Sequence, residues 1–144
     1  MPVSDDGQMT TLDPVALPSP AAISAADLRS AFDNAPIGMA VLAPNGTATA
    51  VNHRLCRLLG RPAAQLLGRT LFTVTHPEDL PLARQQCALM AGGQAQVTAH
   101  ECRFLLPGGT PVPVLVSTSR VPGTPARTAH LIMHIEDITD RKLG

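Results

Sequence analysis

The chain opens without a hydrophobic period and acquires one after residue 23. Residues 1–22 carry Pro2, Pro14, Pro18 and Pro20 among Ser, Asp and Gly. Such a stretch buries too little apolar surface to offset its ordering entropy, so a disordered leader is expected there, with a domain over residues 23–142. Ser24 suits a helix N-cap, and Asp27 can return the bond as in a capping box. Leu28, Ala31, Phe32 and Ala35 then recur at helical spacing, until Pro36 stops the helix. Residues 38–43 (GMAVLA) form a short apolar run, and residues 47–51 (TATAV) alternate. Two strands are predicted, joined at Pro44-Asn45-Gly46, where proline presets φ and Asn and Gly tolerate positive φ.

Asn52 is placed to cap a second helix, with Val51, Leu55, Leu58 and Leu59 on one face and Gly60 at its end. A further short helix is predicted from Pro62 to Gly68, carrying Leu66 and Leu67. Residues 70–75 fit no single period. His76-Pro77-Glu78-Asp79 is turn-like, and Asp79 is the expected N-cap of a longer helix to about Ala91, with Pro81 in its first turn. Glu78 and Asp79 are adjacent, so they read as cap and dipole partners and not as an acid–base pair. Leu80, Ala83, Cys87, Met90 and Ala91 line one helix face, and Gly92-Gly93 closes it. Residues 96–106, 112–121 and 128–138 read as three strands with short links, an antiparallel meander. The fold class is α+β: a five-stranded antiparallel sheet with the helices packed on one face.

Composition narrows the function. A chain of 144 residues is one domain's worth and can bury a sizeable core. Eleven acids balance eleven Lys and Arg, and no basic run appears, so nucleic acid is not expected as a partner. No run of about 18 apolar residues exists to span a membrane. The opening MPVSDDGQMT lacks the pattern of a signal peptide, so a cytoplasmic location is expected. Cys56, Cys87 and Cys102 are odd in number and widely spaced, which suits buried small side chains better than a disulfide framework or zinc site.

Several motifs stand in one order. FDNAPIGMAVLAPNGTATAVNHRLCRLLGRPAAQLLGRTL resembles the opening of the PAS family, with its aPiG turn, P-[ND]-G hairpin, V-N helix start and LLG…LLG pair. THPEDLPLARQQ is similar to the family's HPeD signature, HECRFLLPGGTPVPVLVSTSRV to its E-x-R strand and GG turn, and IEDITDRK to its closing D-I-T-x-R-K. The resemblance covers residues 28–142. It implies a sheet and helices enclosing a small cavity for a ligand or chromophore. It also implies pairing through the outer sheet face and N-terminal helix, and a signal leaving after D-I-T, at Asp137 and Thr139. The candidate lining is Met39, Val41, Leu55, Leu59, Phe72, Met90, Cys102, Phe104 and Leu115.

No cofactor is expected. The haem-binding members supply a histidine from the long helix, and residues 80–91 contain none. Cys87 could supply a thiolate there, but a buried small hydrophobe is the simpler account. The photoactive flavin branch needs a cysteine just after the short helices, and residues 68–72 have none. Cys102-Arg103-Phe104 lies on a late strand instead. His100 and Cys102 share one strand face, as do His130, His134 and Glu136, but solvated or partner-facing sheet decoration is favoured over a metal site. No hydrolase, metalloprotease, P-loop or dinucleotide motif is present, so the chain is not expected to be an enzyme.

A sensory or interaction module with a small, mostly apolar ligand is therefore the leading reading, acting as a homodimer or with a partner protein. The alternatives are a dimerisation adaptor with a filled core, a haem or flavin sensor, and an enzyme recruited to the cavity. The last would need His100, Cys102 or His134 to face the cavity beside a polar partner. Asp137 and Thr139 fit a plain strand stop as well as a signal exit, since no coiled coil, kinase or cyclase follows before Gly144.

Overall fold

A computed structural model of the chain describes residues 23–143, so the expected leader lies outside the described residues. The chain divides into two units, Met1–Ala31 and Phe32–Gly144, with the division inside the first helix. That helix, α1 (Ala25–Asp33), starts on the expected capping box. The Asp27 N–H donates to Ser24 Oγ at 3.0 Å, and the Ser24 N–H donates to Asp27 Oδ2 at 3.2 Å. None of its residues is buried, and Leu28 is 62% exposed.

The second unit holds β1 (Gly38–Leu42), β2 (Ala48–Val51) and α2 (His53–Leu59). Short 3₁₀ turns follow at Ala63–Gln65, Leu71–Val74 and Pro77–Asp79. Then come α3 (Leu80–Ala91), β3 (Val97–Leu105), β4 (Pro111–Val121), β5 (His130–Asp137) and α4 (Thr139–Leu143). The helix expected over 62–68 is reduced to the turn at Ala63–Gln65. Gly68 N–H donates to Ala48 O and Ala48 N–H to Arg69 O, so the backbone there is spent on β2.

The strands form one antiparallel sheet in the order β2-β1-β5-β4-β3. The meander and the hairpin are both as expected. They join because β5 lies beside β1, with Gly38 opposite Ile135 and Leu42 opposite Leu131. A bulge interrupts β2: the register jumps from Val41–Ala50 to Leu42–Ala48, and the Thr49 hydroxyl donates to Val41 O.

Alternation decides which face is inside. Gly38, Ala40 and Leu42 are buried on β1, Val114, Val116 and Thr118 on β4, and Cys102 and Phe104 on β3. α2 packs against β1 through Leu55 and Leu59, both fully buried. It sits so close that a Cβ at Gly38 would lie 3.2 Å from Leu55 Cδ1. This contact is why the small residues of β1 are the inward ones.

Asn52 fixes α2 to β1. Its Oδ1 accepts from Leu55 N at 3.0 Å, capping the helix, and from Met39 N at 2.9 Å. Its Nδ2 donates to Phe32 O and Ile37 O, both at 3.0 Å. The C-terminus of α2 closes on Gly60 with φ of 65°, a left-handed conformation suited to glycine.

Candidate functional site

A cavity of about 30 Å³ lies between α3, the Leu71–Val74 turn and the inner face of the sheet. Its walls are mainly apolar: Leu42, Leu71, Phe72, Ala83, Phe104, Val116, Leu131 and Met133. Gly46, Thr75, Gln86, Cys87, His100, Cys102 and Thr118 complete the lining. The gap opens here because α3 turns Ala83 and Cys87 inward, two short side chains one turn apart. Opposite α2, by contrast, Leu55 and Leu59 fill the space.

Of the candidate residues, Phe72, Cys102 and Phe104 line this cavity. Leu55, Leu59 and Met90 are fully buried in the core beside it. Met39, Val41 and Leu115 are placed elsewhere: each neighbours inward residues on its strand, so each points to the outer sheet face. The candidate set took Met39 and Val41 from β1, whereas the approach of α2 leaves the alternate residues Gly38, Ala40 and Leu42 inside. The other twelve lining residues, Gly46, Ala83 and Gln86 among them, were not in the candidate set. Gly46 and Gln86 line the cavity by position in the turn and on α3, which apolar periodicity does not flag, whereas Ala83 lies on the apolar helix face that the spacing predicts.

His100 and Cys102 are not surface decoration. Both face inward and line the cavity, whereas His130, His134 and Glu136 alternate onto the opposite face of β5. The sheet thus separates the two sets. His100 Nδ1 is buried and has no hydrogen-bond partner among the described residues, and the same holds for Thr98 Oγ1 two residues earlier on β3. Burial pushes the His100 pKa below its ordinary 6.5, partly opposed by the Asp79 carboxylate. Burial pushes the Cys87 thiol up, and the Cys102 thiol up to about 12, so both stay protonated at neutral pH.

The cavity wall is tied down by an ion-pair network on β3. Asp79 does not cap α3; its side chain makes no capping bond there. Its carboxylate instead accepts from Arg103 Nε at 3.0 Å, Arg103 Nη2 at 2.9 Å and the Arg103 backbone N–H at 2.7 Å. Arg103 Nη2 also reaches Glu78 Oε1 at 3.1 Å. His76 caps the preceding 3₁₀ turn Pro77–Asp79, with Nδ1 accepting from Glu78 N at 3.1 Å, while its own backbone N–H donates to Arg103 O at 2.8 Å. The HPED turn and the E-x-R strand are therefore one device, which anchors the Leu71–Val74 wall to the sheet. On that wall the Arg84 guanidinium lies 4.7 Å from the Phe72 ring centroid, covering the ring.

At the end of β5, Asp137 Oδ1 accepts from the backbone N–H and hydroxyl of Thr139, closing the turn into α4. Arg141 pairs with Glu136 at 3.3 Å and not with Asp137.

The sequence matches the family of the PAS fold over residues 32–143. The chain belongs to the PAS family. PAS domains are sensory modules, and the matched segment carries every element that encloses the cavity. The domain is 32% identical over 114 residues to a probable diguanylate cyclase, DgcE, of Escherichia coli. That match covers 79% of this chain and 10% of the relative, so the chain spans about a tenth of that protein. Among solved structures, the PAS domain of an HTR-like protein from Haloarcula marismortui superposes with a TM-score of 0.65 at 23% identity, covering 78% of this chain and 90% of that one. The PAS-B domain of Drosophila melanogaster Cycle with bound ethylene glycol superposes with a TM-score of 0.64 at 12% identity, covering 70% and 99%. Among the described residues of this PAS domain, no helix is long and apolar enough to cross a membrane.

The half-buried His100 imidazole makes stability pH-dependent. A base whose folded pKa is depressed is fully compatible with folding above its unfolded value, here 6.5, and opposes folding as pH falls through that value towards the folded one. Wild-type unfolding midpoints in urea should therefore fall between pH 7.5 and pH 5.5, and His100→Asn should flatten that fall. An identical pH slope in the two proteins would count against the assignment.

Proposed function

We propose that this PAS domain is a cytoplasmic sensory module that takes a small molecule into the cavity beneath α3 and passes its occupancy on through the β5–α4 exit. It has no catalytic site of its own in this reading. The observation that carries it is the partly open, mainly apolar slot lined by His100, whose buried Nδ1 is left without a partner among the described residues. Polar groups removed from water are ordinarily hydrogen-bonded, so an unpartnered one beside a cavity favours an occupant. The bound ethylene glycol in Cycle PAS-B supports a small hydroxylated ligand in this fold.

Size constrains the ligand. A cavity of about 30 Å³ has room for one or two water molecules, since about 10–15 Å³ suffices to hold one. A ligand of a few heavy atoms would be accommodated by modest outward movement of α3. A larger aliphatic ligand would require α3 to lift from the sheet. The same small volume favours a second reading, an adaptor with a nearly filled core that pairs through the outer sheet face. We assign the output to a partner or neighbouring domain, as the resemblance to part of a probable diguanylate cyclase suggests.

Titration of isotope-labelled protein with ethylene glycol, followed by amide chemical shifts, separates the readings. Saturable shifts centred on Ala83, Cys87 and Thr118 are expected. Shifts scattered over the surface and growing linearly with concentration would reject the ligand site and favour the adaptor.

A further inference from the structure

The cavity offers a ligand one distinctive polar feature. None of its lining residues is Asp, Glu, Lys or Arg, so a charged ligand would enter without a counter-ion. The carboxylate that acts on His100 is that of Asp79, and it is already committed to Arg103. Thr75 is also committed: its hydroxyl donates to Leu71 O at 2.8 Å. His100 Nδ1 has no such commitment.

Resting on the ligand reading above, we infer that His100 selects the occupant, pairing through Nδ1 with the hydroxyl of a small neutral alcohol. The residue is held inward by the alternation of β3, with its backbone partner Val116 on β4 also lining the cavity. Gln86 and Cys87 of α3 share the lining with it. Burial keeps the imidazole neutral, so one ring nitrogen is a donor and the other an acceptor. A hydroxyl can donate or accept, and so it satisfies Nδ1 in either tautomer. An ether oxygen only accepts, and an alkyl group does neither. The rest of the lining is mainly apolar, with Gln86 and Thr118 as neutral polar groups, which suits the short alkyl stem of such an alcohol and disfavours zwitterions and carboxylates.

The test uses three probes of closely similar size: ethanol, dimethyl ether and propane. Each is titrated into the labelled full chain at pH 7.5, where His100 is neutral. Ethanol is expected to bind about tenfold more tightly than propane, the factor expected for one net hydrogen bond. It should also shift the His100 Nδ1 nitrogen resonance, which propane should leave in place. In His100→Leu the preference for ethanol should disappear while propane still binds. The nitrogen resonance of the wild type gives an answer even if that variant folds poorly. Equal affinity for all three probes, or an ethanol preference retained in His100→Leu, would overturn the role of His100 and leave the ligand reading standing. Failure of every probe to bind the cavity would overturn both, leaving at most a trapped water.

Discussion

Asn52→Ala is expected to lower the unfolding free energy by about 4 kcal/mol, the sum of a lost N-cap and of buried backbone groups left unpaired. Asn52 is 1% exposed and uses its amide on both sides. The oxygen serves Leu55 N and Met39 N, and the nitrogen serves Phe32 O and Ile37 O. Water has little access to replace these bonds, so truncation strands donors and acceptors from α1's end, β1 and α2 together. Asn52→Asp keeps the two acceptor bonds but places a carboxylate against two carbonyl oxygens, and it should be similarly damaging at neutral pH. Urea denaturation monitored by circular dichroism measures both. A loss below about 1 kcal/mol, the scale of an exposed cap, would show that the network is dispensable.

Asp79→Ala is expected to remove about 2 kcal/mol at pH 7, less than a fully buried pair because solvent reaches the partners. The Asp79 side chain is 20% exposed and that of Arg103 39%. The bidentate geometry and the bond to the Arg103 backbone N–H keep the effect above that of a surface ion pair. Arg103, chiefly through hydrogen bonds, holds the Asp79 carboxyl below its ordinary 3.8. A depressed acid contributes its stability in full above the unfolded pKa and loses it as pH falls through the folded value. The difference between wild type and Asp79→Ala should thus be constant from pH 7 to about pH 4 and shrink below 3.8. A difference that persists unchanged at pH 2 would mean that Asp79 acts by packing and not by charge. The variant should also loosen the Leu71–Val74 wall, detectable as faster amide exchange at Thr75, whose backbone bridges to Phe104.

Local chemistry was legible wherever neighbours in the chain decide the conformation. The capping box at Ser24, the cap at Asn52 and the left-handed Gly60 all depend on contacts a few residues apart. So does the Pro44-Asn45-Gly46 turn, where Asn45 Oδ1 accepts from Thr47 N at 2.9 Å and Gly46 has φ of 90°. Asp79 reads otherwise. Its type and position fit a cap, but Arg103 lies 24 residues away and competes successfully for the carboxylate with charge-assisted bonds. α3 is left without a side-chain cap, and His76 caps the 3₁₀ turn before it.

The sequence by itself determined the PAS family, the α+β class, the order of the strands and the longer helices, and the caps at Ser24 and Asn52, because these follow from periodicity, local hydrogen bonding and motif order. Tertiary structure decided the pairing of β1 with β5, the inward parity of β1, and the partners of Asn52 and Asp79. It also decided where the cavity opens, beneath Ala83 and Cys87 instead of around Met39, Val41 and Leu115. The reason is physical: a strand's period of two offers two equivalent faces, and only the approach of α2 and α3 determines which of them loses its water.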